Sequence, residues 1–256
     1  PEKPSVDSID PENTVGIDLG ITKFIHDSTG RAILPLDEDE DRERIEKRHR
    51  AISRKEYESK NWNKARKRLS KAYARLTNRW DDFYEKLAHD YTLVNDAVFL
   101  EDLDVAGLLQ QKGHSRNISS MSWRRAIQAF QRQGAKNGCH VILVPPEGTT
   151  KRCSKCGVET EKPLWIREHS CPACGFTTDR DMNSALEVKR LGLEKLGVEF
   201  EWSDLGPGRS KSAPVETATT VSTDGSGFSA TTTVDASRVV EAGRSPILKE
   251  ATDVAE

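Results

Sequence analysis

The sequence predicts an α/β protein: a mixed sheet interrupted by a helical hairpin and by a small cysteine-bearing module. Three observations carry this: short apolar runs separated by turn residues, a long stretch with apolar spacing of three and four, and four cysteines between Cys153 and Cys174. At roughly 150 residues per domain, 256 residues allow one sizeable core and a minor module. With 35% hydrophobic, 6% aromatic and 31% charged residues, part of the chain is expected to remain outside any packed core. No run approaches the roughly 18 apolar residues of a membrane span, and "PEKPSVDSID" lacks a signal peptide's basic start and apolar stretch. A cytoplasmic protein without a membrane partner is expected.

Residues 1–13 read as an N-terminal extension, and residues 14–150 as the main domain. Within it, "TVGIDLG", "TKFIHD" and "RAILP", with the turn "STG" before the last, predict a three-stranded meander. The acidic run Asp37 to Asp41 leads into a helical hairpin over residues 42–92. Leu69, Tyr73, Leu76, Trp80, Phe83, Leu87 and Tyr91 form one apolar stripe, and "ESKNWN" separates it from an arm carrying Ile45 and Ile52. "AVFLE" predicts a buried strand at residues 97–101, and a polar loop follows around "QKGHSRNISS". A helix over 122–137 closed by Gly138 and a strand in "CHVILVPP" complete the segment. Residues 177–200 supply another helix, with Gly192 near its end. From Pro207 onward, 15 of 50 residues are Ser or Thr, so residues 207–256 are expected to be a disordered tail.

Charge is distributed in blocks. Residues 1–41 hold 3 basic and 11 acidic side chains, whereas residues 42–80 hold 15 basic and 4 acidic ones. Such a basic block suits a phosphate backbone, while the net charge of -2 requires an acidic remainder and confines binding to one groove. Arg66, Lys67, Arg68 and Lys71 are the candidate nucleic-acid contacts.

Cys153 and Cys156 form one CxxC pair, Cys171 and Cys174 another, separated by 14 residues, and Gly157 and Gly175 follow the pairs. Four thiolates at this spacing predict a zinc ribbon over residues 151–176 that holds one structural Zn²⁺. Cys139 reads as a small buried hydrophobe, and His169 could replace a ligand, though the four Cys already suffice.

Three carboxylates stand out. Asp18 lies inside an apolar strand, Glu101 ends another, and Asp181 opens the helix after the ribbon. Oxygen ligands of this kind suit two Mg²⁺ or Mn²⁺ ions acting on a phosphodiester. Each has a plainer reading: Asp18 in a turn before Gly20, Glu101 as a solvated strand end beside Asp102 and Asp104, and Asp181 or Asp179 as a helix N-cap.

The strings "VGIDLGITKF", "VFLEDLDVAGL", "VPPEGTTKRCSKCG" and "CPACGFTTDRDMNSA", in this order across residues 15–191, resemble the C-terminal half of TnpB proteins, the OrfB-type accessory proteins of insertion sequences. The resemblance implies an RNase H-like (RuvC-like) nuclease domain with an inserted zinc ribbon. It also implies an acidic triad at Asp18, Glu101 and Asp181, the last chosen over Asp179 by the RD-x-N string. DNA endonuclease activity follows from it, with RNA guidance and DNA as target in the full-length form. TnpB proteins carry an N-terminal lobe for guide and target motif, whereas this chain begins 17 residues before Asp18. A fragment, a truncated product or a separately encoded nuclease half is therefore expected. The alternative function is a catalytically inactive DNA- or RNA-binding remnant; a transposase that itself joins strands has no end-binding module here.

Overall fold

A computed structural model describes residues 1–103, 122–161, 166–205, 233–235 and 249–250. The meander forms as strands β1 (Thr14–Leu19), β2 (Ile25–Asp27) and β3 (Ala32–Ile33), each antiparallel to the next. Asp27 fixes the β2–β3 turn. Its Oδ1 accepts from the Thr29 amide and hydroxyl and from the Arg31 amide, and its Oδ2 accepts from the Tyr91 hydroxyl at 2.6 Å. Strand β4 (Ala97–Glu101) lies parallel to β1, and β5 (His140–Val144) parallel to β4. The mixed sheet therefore runs β5-β4-β1-β2-β3.

Helix α1 (Asp39–Ser53) and helix α2 (Lys60–Val94) form the hairpin, and the Ser59 hydroxyl caps α2 by accepting from the Trp62 amide. Buried Asp41 on α1 pairs with Arg79 and Arg75 of α2, and Glu38 accepts from the Trp80 indole. Phe24, Trp80, Phe83 and Tyr84 stack into one aromatic cluster. Tyr73 departs from the expected apolar stripe. It is 46% exposed and shares a 2.7 Å hydrogen bond with His49, because the hairpin projects past the core at that level.

Helix α3 (Trp123–Asn137) ends on Gly138 in the left-handed region, as its sequence predicts. The cysteine module contributes a hairpin of β6 (Glu168–Ser170) and β7 (Thr177–Asp179), leading into α4 (Arg180–Leu196). A short helix α5 (Trp202–Leu205) follows. Within the stretch expected to be disordered, β8 (Thr233–Asp235) pairs with β3 and β9 (Lys249–Glu250) with β8. The rest of residues 207–256, like the expected loop around "QKGHSRNISS", lies outside the described residues. The N-terminal residues are tied down: Ile9 joins a core cluster, and Pro4 O accepts from His140 Nε2 at 2.9 Å. Among the described residues, no helix is long and apolar enough to cross a membrane.

The period of two divides the sheet into two buried faces. Val15, Ile17, Leu19, Val98 and Leu100 join α2 and α3, while Ala97, Phe99 and Val144 join Met182, Leu186 and Leu193 of α4. Helix α4 approaches unusually closely. A Cβ on Gly16 would lie 2.2 Å from Ala185 O, and one on Gly192 would lie 2.1 Å from the Phe99 ring. Gly192 therefore does not end the helix, as its sequence position suggested; Gly197, with φ 83°, does. An alanine in an open helix position would add about 1 kcal/mol of stability over glycine. Gly192→Ala is instead expected to destabilise by about 2–3 kcal/mol through overpacking, measured by urea denaturation; a stabilised variant would contradict this packing.

Candidate metal centres

In the cysteine module each CxxC pair folds into a matching knuckle. The Cys153 carbonyl accepts from the Gly157 amide and the Cys171 carbonyl from the Gly175 amide, and both glycines have positive φ. The four sulfurs lie within 4.8 Å of one another. Cys153–Cys174 and Cys156–Cys171 are separated by 3.8 and 3.5 Å, far beyond a disulfide bond. Tetrahedral ligation at about 2.3 Å per Zn–S bond requires sulfurs about 3.8 Å apart, so the donor set fits zinc. The Cys174 amide holds the Cys171 thiol down to about 6, which favours the ligating thiolate. His169 is buried but belongs to no such cluster.

The carboxylates converge on the α4 side of the sheet. Asp18 and Glu101 each stand one residue past the Ile17–Leu100 pair on neighbouring parallel strands, so both face α4. Burial, then the charges of Glu101 and Asp181, push the Asp18 carboxyl well above its usual range; the Arg180 guanidinium opposes this. Burial lifts Glu101 to about 7 against the hydrogen bond from Thr149. That hydroxyl donates to Glu101 Oε1 at 2.6 Å and fixes the carboxylate's orientation. Glu101 is thus no solvated strand end, being 5% exposed. Among the described residues only the four cysteines bring three or more ligand atoms within 4.8 Å of one another; a hard divalent cation would relieve the mutual repulsion of the carboxylates and requires them to close in around it.

Asp179 and Asp181 separate by role. Asp179 is the N-cap of α4, accepting from the Asp181 and Met182 amides, whereas Asp181 lies in the first turn near Arg180 at 3.3 Å and Arg167 at 3.9 Å. Asn183, two residues on, joins the two centres. Its Oδ1 accepts from the Ser154 amide and hydroxyl, and its Nδ2 donates to the Arg152 carbonyl, so the first cysteine knuckle is bonded to the helix bearing Asp181. Thr149 and Asn183 escaped the sequence reading; their nearness to the cysteine and RD-x-N motifs was the available signal.

On α2, Lys64, Lys67, Arg68 and Lys71 are exposed, fall on one side by helical spacing, and pair with no acidic group among the described residues. Arg66 points elsewhere, with its guanidinium over the Trp62 ring at 5.4 Å.

Residues 3–112 match the family model OrfB_IS605, described as "Probable transposase", and residues 123–188 match the Cas12f1-like TNB domain. A "Putative RNA-guided DNA endonuclease" of Streptomyces pristinaespiralis is 37% identical over 182 residues, which is 70% of this chain and 45% of that protein. The "TnpB-like protein L79" of Acanthamoeba polyphaga mimivirus is 28% identical over 199 residues, 72% of this chain and 38% of that one. This chain belongs to the TnpB family. InsQ of Escherichia coli K12, named a putative RNA-guided DNA endonuclease, is a further relative at 26% identity over 70% of this chain and 48% of its own length. The chain spans less than half the length of these TnpB relatives. Among solved structures, a CRISPR-Cas12f ternary complex shares the fold at TM-score 0.51 and 18% identity, covering 73% of this chain and 40% of that one.

Proposed function

We propose that the chain is the nuclease portion of a TnpB-type, RNA-guided DNA endonuclease, with a RuvC-like core that cleaves phosphodiester bonds. The observation that carries this reading is that Asp18 and Glu101 stand side by side on the α4 face of the sheet and that Asp181 opens α4, the helix packed on that face. Divalent Mg²⁺ or Mn²⁺ at these oxygens would activate a water and stabilise the leaving oxygen. Thr149 holds Glu101 Oε1, and Asp179 takes the capping role of α4 in place of Asp181, whose Oδ1 accepts from Arg180. The four cysteines keep the ribbon folded around Zn²⁺ and, through Asn183, keep the start of α4 in place. Lys67, Arg68 and Lys71 grip the nucleic-acid backbone from one side of α2, Arg66 with its guanidinium over Trp62 lies off that side, and a guide RNA reads the target by pairing in the full-length protein.

The test is cleavage of labelled single-stranded DNA in Mg²⁺ or Mn²⁺ by zinc-loaded protein, with Asp181→Ala as control. Cleavage by the wild type alone supports the reading. Salt-sensitive DNA binding without cleavage in any divalent ion would instead make this chain a binding remnant.

A further inference from the structure

His26 stands directly opposite Asp18 on the neighbouring strand β2. Its sequence neighbour Ile25 faces the α2 core, so His26 faces α4, as Asp18 does. Glu101, Asp18 and His26 thus form a row across three adjacent strands at about 4.8 Å per step. His26 is 3% exposed, and its Nδ1 is buried without a hydrogen-bond partner among the described residues. A buried polar atom left unmatched costs about 1–3 kcal/mol, which a ligand bound there would recover.

The acidic groups around it narrow the choice. Asp27 Oδ1 is taken up by Thr29 and Arg31 and its Oδ2 by Tyr91, and Asp179 is occupied as the α4 cap. Lys23 is the nearby cation. Asp18 and Asp181, both candidate cation ligands, are the carboxylates left for a shared task, although Asp181 Oδ1 also accepts from Arg180 at 3.3 Å. An imidazole there changes the donor set from all-oxygen to oxygen plus nitrogen. Mg²⁺ gains little from nitrogen, whereas Mn²⁺ accepts imidazole readily.

We propose that His26 supplies an imidazole nitrogen to the divalent-cation site of Asp18, Glu101 and Asp181, giving that site a preference for Mn²⁺ over Mg²⁺. The inference rests on the carboxylate site proposed above. It is tested on the full zinc-loaded chain by Mn²⁺ titration and pulsed electron paramagnetic resonance, which detects a directly coordinated ¹⁴N without any activity assay. The wild type should show ¹⁴N modulation. His26→Thr should lose it at unchanged zinc content, and should bind Mn²⁺ about tenfold more weakly or worse with Mg²⁺ affinity little changed.

Asp18→Asn separates the two levels. Mn²⁺ binding that Asp18→Asn weakens, but that lacks ¹⁴N modulation in the wild type, overturns the role of His26 and leaves the carboxylate site standing. Modulation that persists in His26→Thr overturns it equally. Absence of Mn²⁺ binding, or binding indifferent to Asp18→Asn, removes the carboxylate site and this inference with it. Absence of modulation in the wild type overturns the role of His26 without any variant, and if His26→Thr fails to fold, His26→Gln at unchanged zinc content provides the comparison.

Discussion

Asp18→Asn is expected to reduce metal-dependent cleavage by about three orders of magnitude or more, and at the same time to stabilise the protein when Mg²⁺ and Mn²⁺ are absent. The first effect follows from losing several kcal/mol of charge stabilisation at about 1.4 kcal/mol per decade of rate. The second follows from crowding. Without a cation, the folded chain must hold the Asp18 carboxylate beside Glu101 and Asp181 in a partly desolvated cleft, which is why its carboxyl is raised. The sign of the pH dependence is fixed by this arrangement. Burial lifts Glu101 from 4.5 to about 7, so between those values the folded state keeps a proton that the unfolded state has released. Stability then falls as pH rises through that window, by about 3 kcal/mol for Glu101 alone. Denaturant melts of the wild type and of Glu101→Gln, with zinc retained and other divalent ions removed, isolate the effect. The wild type should lose stability relative to the variant from pH 5 to 7.5, and added Mn²⁺ should restore it. A wild type that gains on the variant as pH rises would show that the carboxylates are not under this strain.

Removing zinc is expected to lower the melting temperature by about 10 °C, beyond unravelling the ribbon itself. The module has little core of its own, so its fold depends on the metal. The effect spreads because three hydrogen bonds from Asn183 end on Arg152 and Ser154 of the first knuckle. At about 1 kcal/mol each they amount to about 3 kcal/mol, or about 10 °C for a domain of this size. Calorimetry before and after chelation, with limited proteolysis of residues 151–176, provides the check. A shift below about 2 °C with the ribbon cleaved would mean that α4 is held by its packing on Gly16 and Phe99 alone. Asn183→Ala should reproduce much of the shift while zinc stays bound.

Much of this architecture was legible because short-range patterns encode it. Alternation marks β1 and β4, a charge within an apolar run marks Asp18, and the cysteine spacing marks both knuckles. What stayed hidden depends on partners far apart in the chain. Thr149 acquires a role only when β5 brings it beside Glu101, and Asn183 only when the ribbon folds back onto α4. His26 looked like one more residue of a meander strand until the register placed it opposite Asp18. Gly192 reads as a helix terminator from sequence, yet its lack of a side chain serves contact with Phe99. Arg66 was grouped with its basic neighbours by adjacency, but helical geometry turns it toward Trp62.

The length of α2 makes the hairpin a cantilever. Its buried side chains begin at Ala72, so residues 60–71 overhang the core by about 18 Å at 1.5 Å per residue. Tyr73 and His49 brace the point where the overhang begins. Lys64, Lys67, Arg68 and Lys71 all ride on this overhang, and its span matches about five base-pair steps of a duplex. The number of helical turns between Ala72 and Ser59 therefore works as a ruler, setting how far from Asp18 the positive stripe extends, without any change to the sheet.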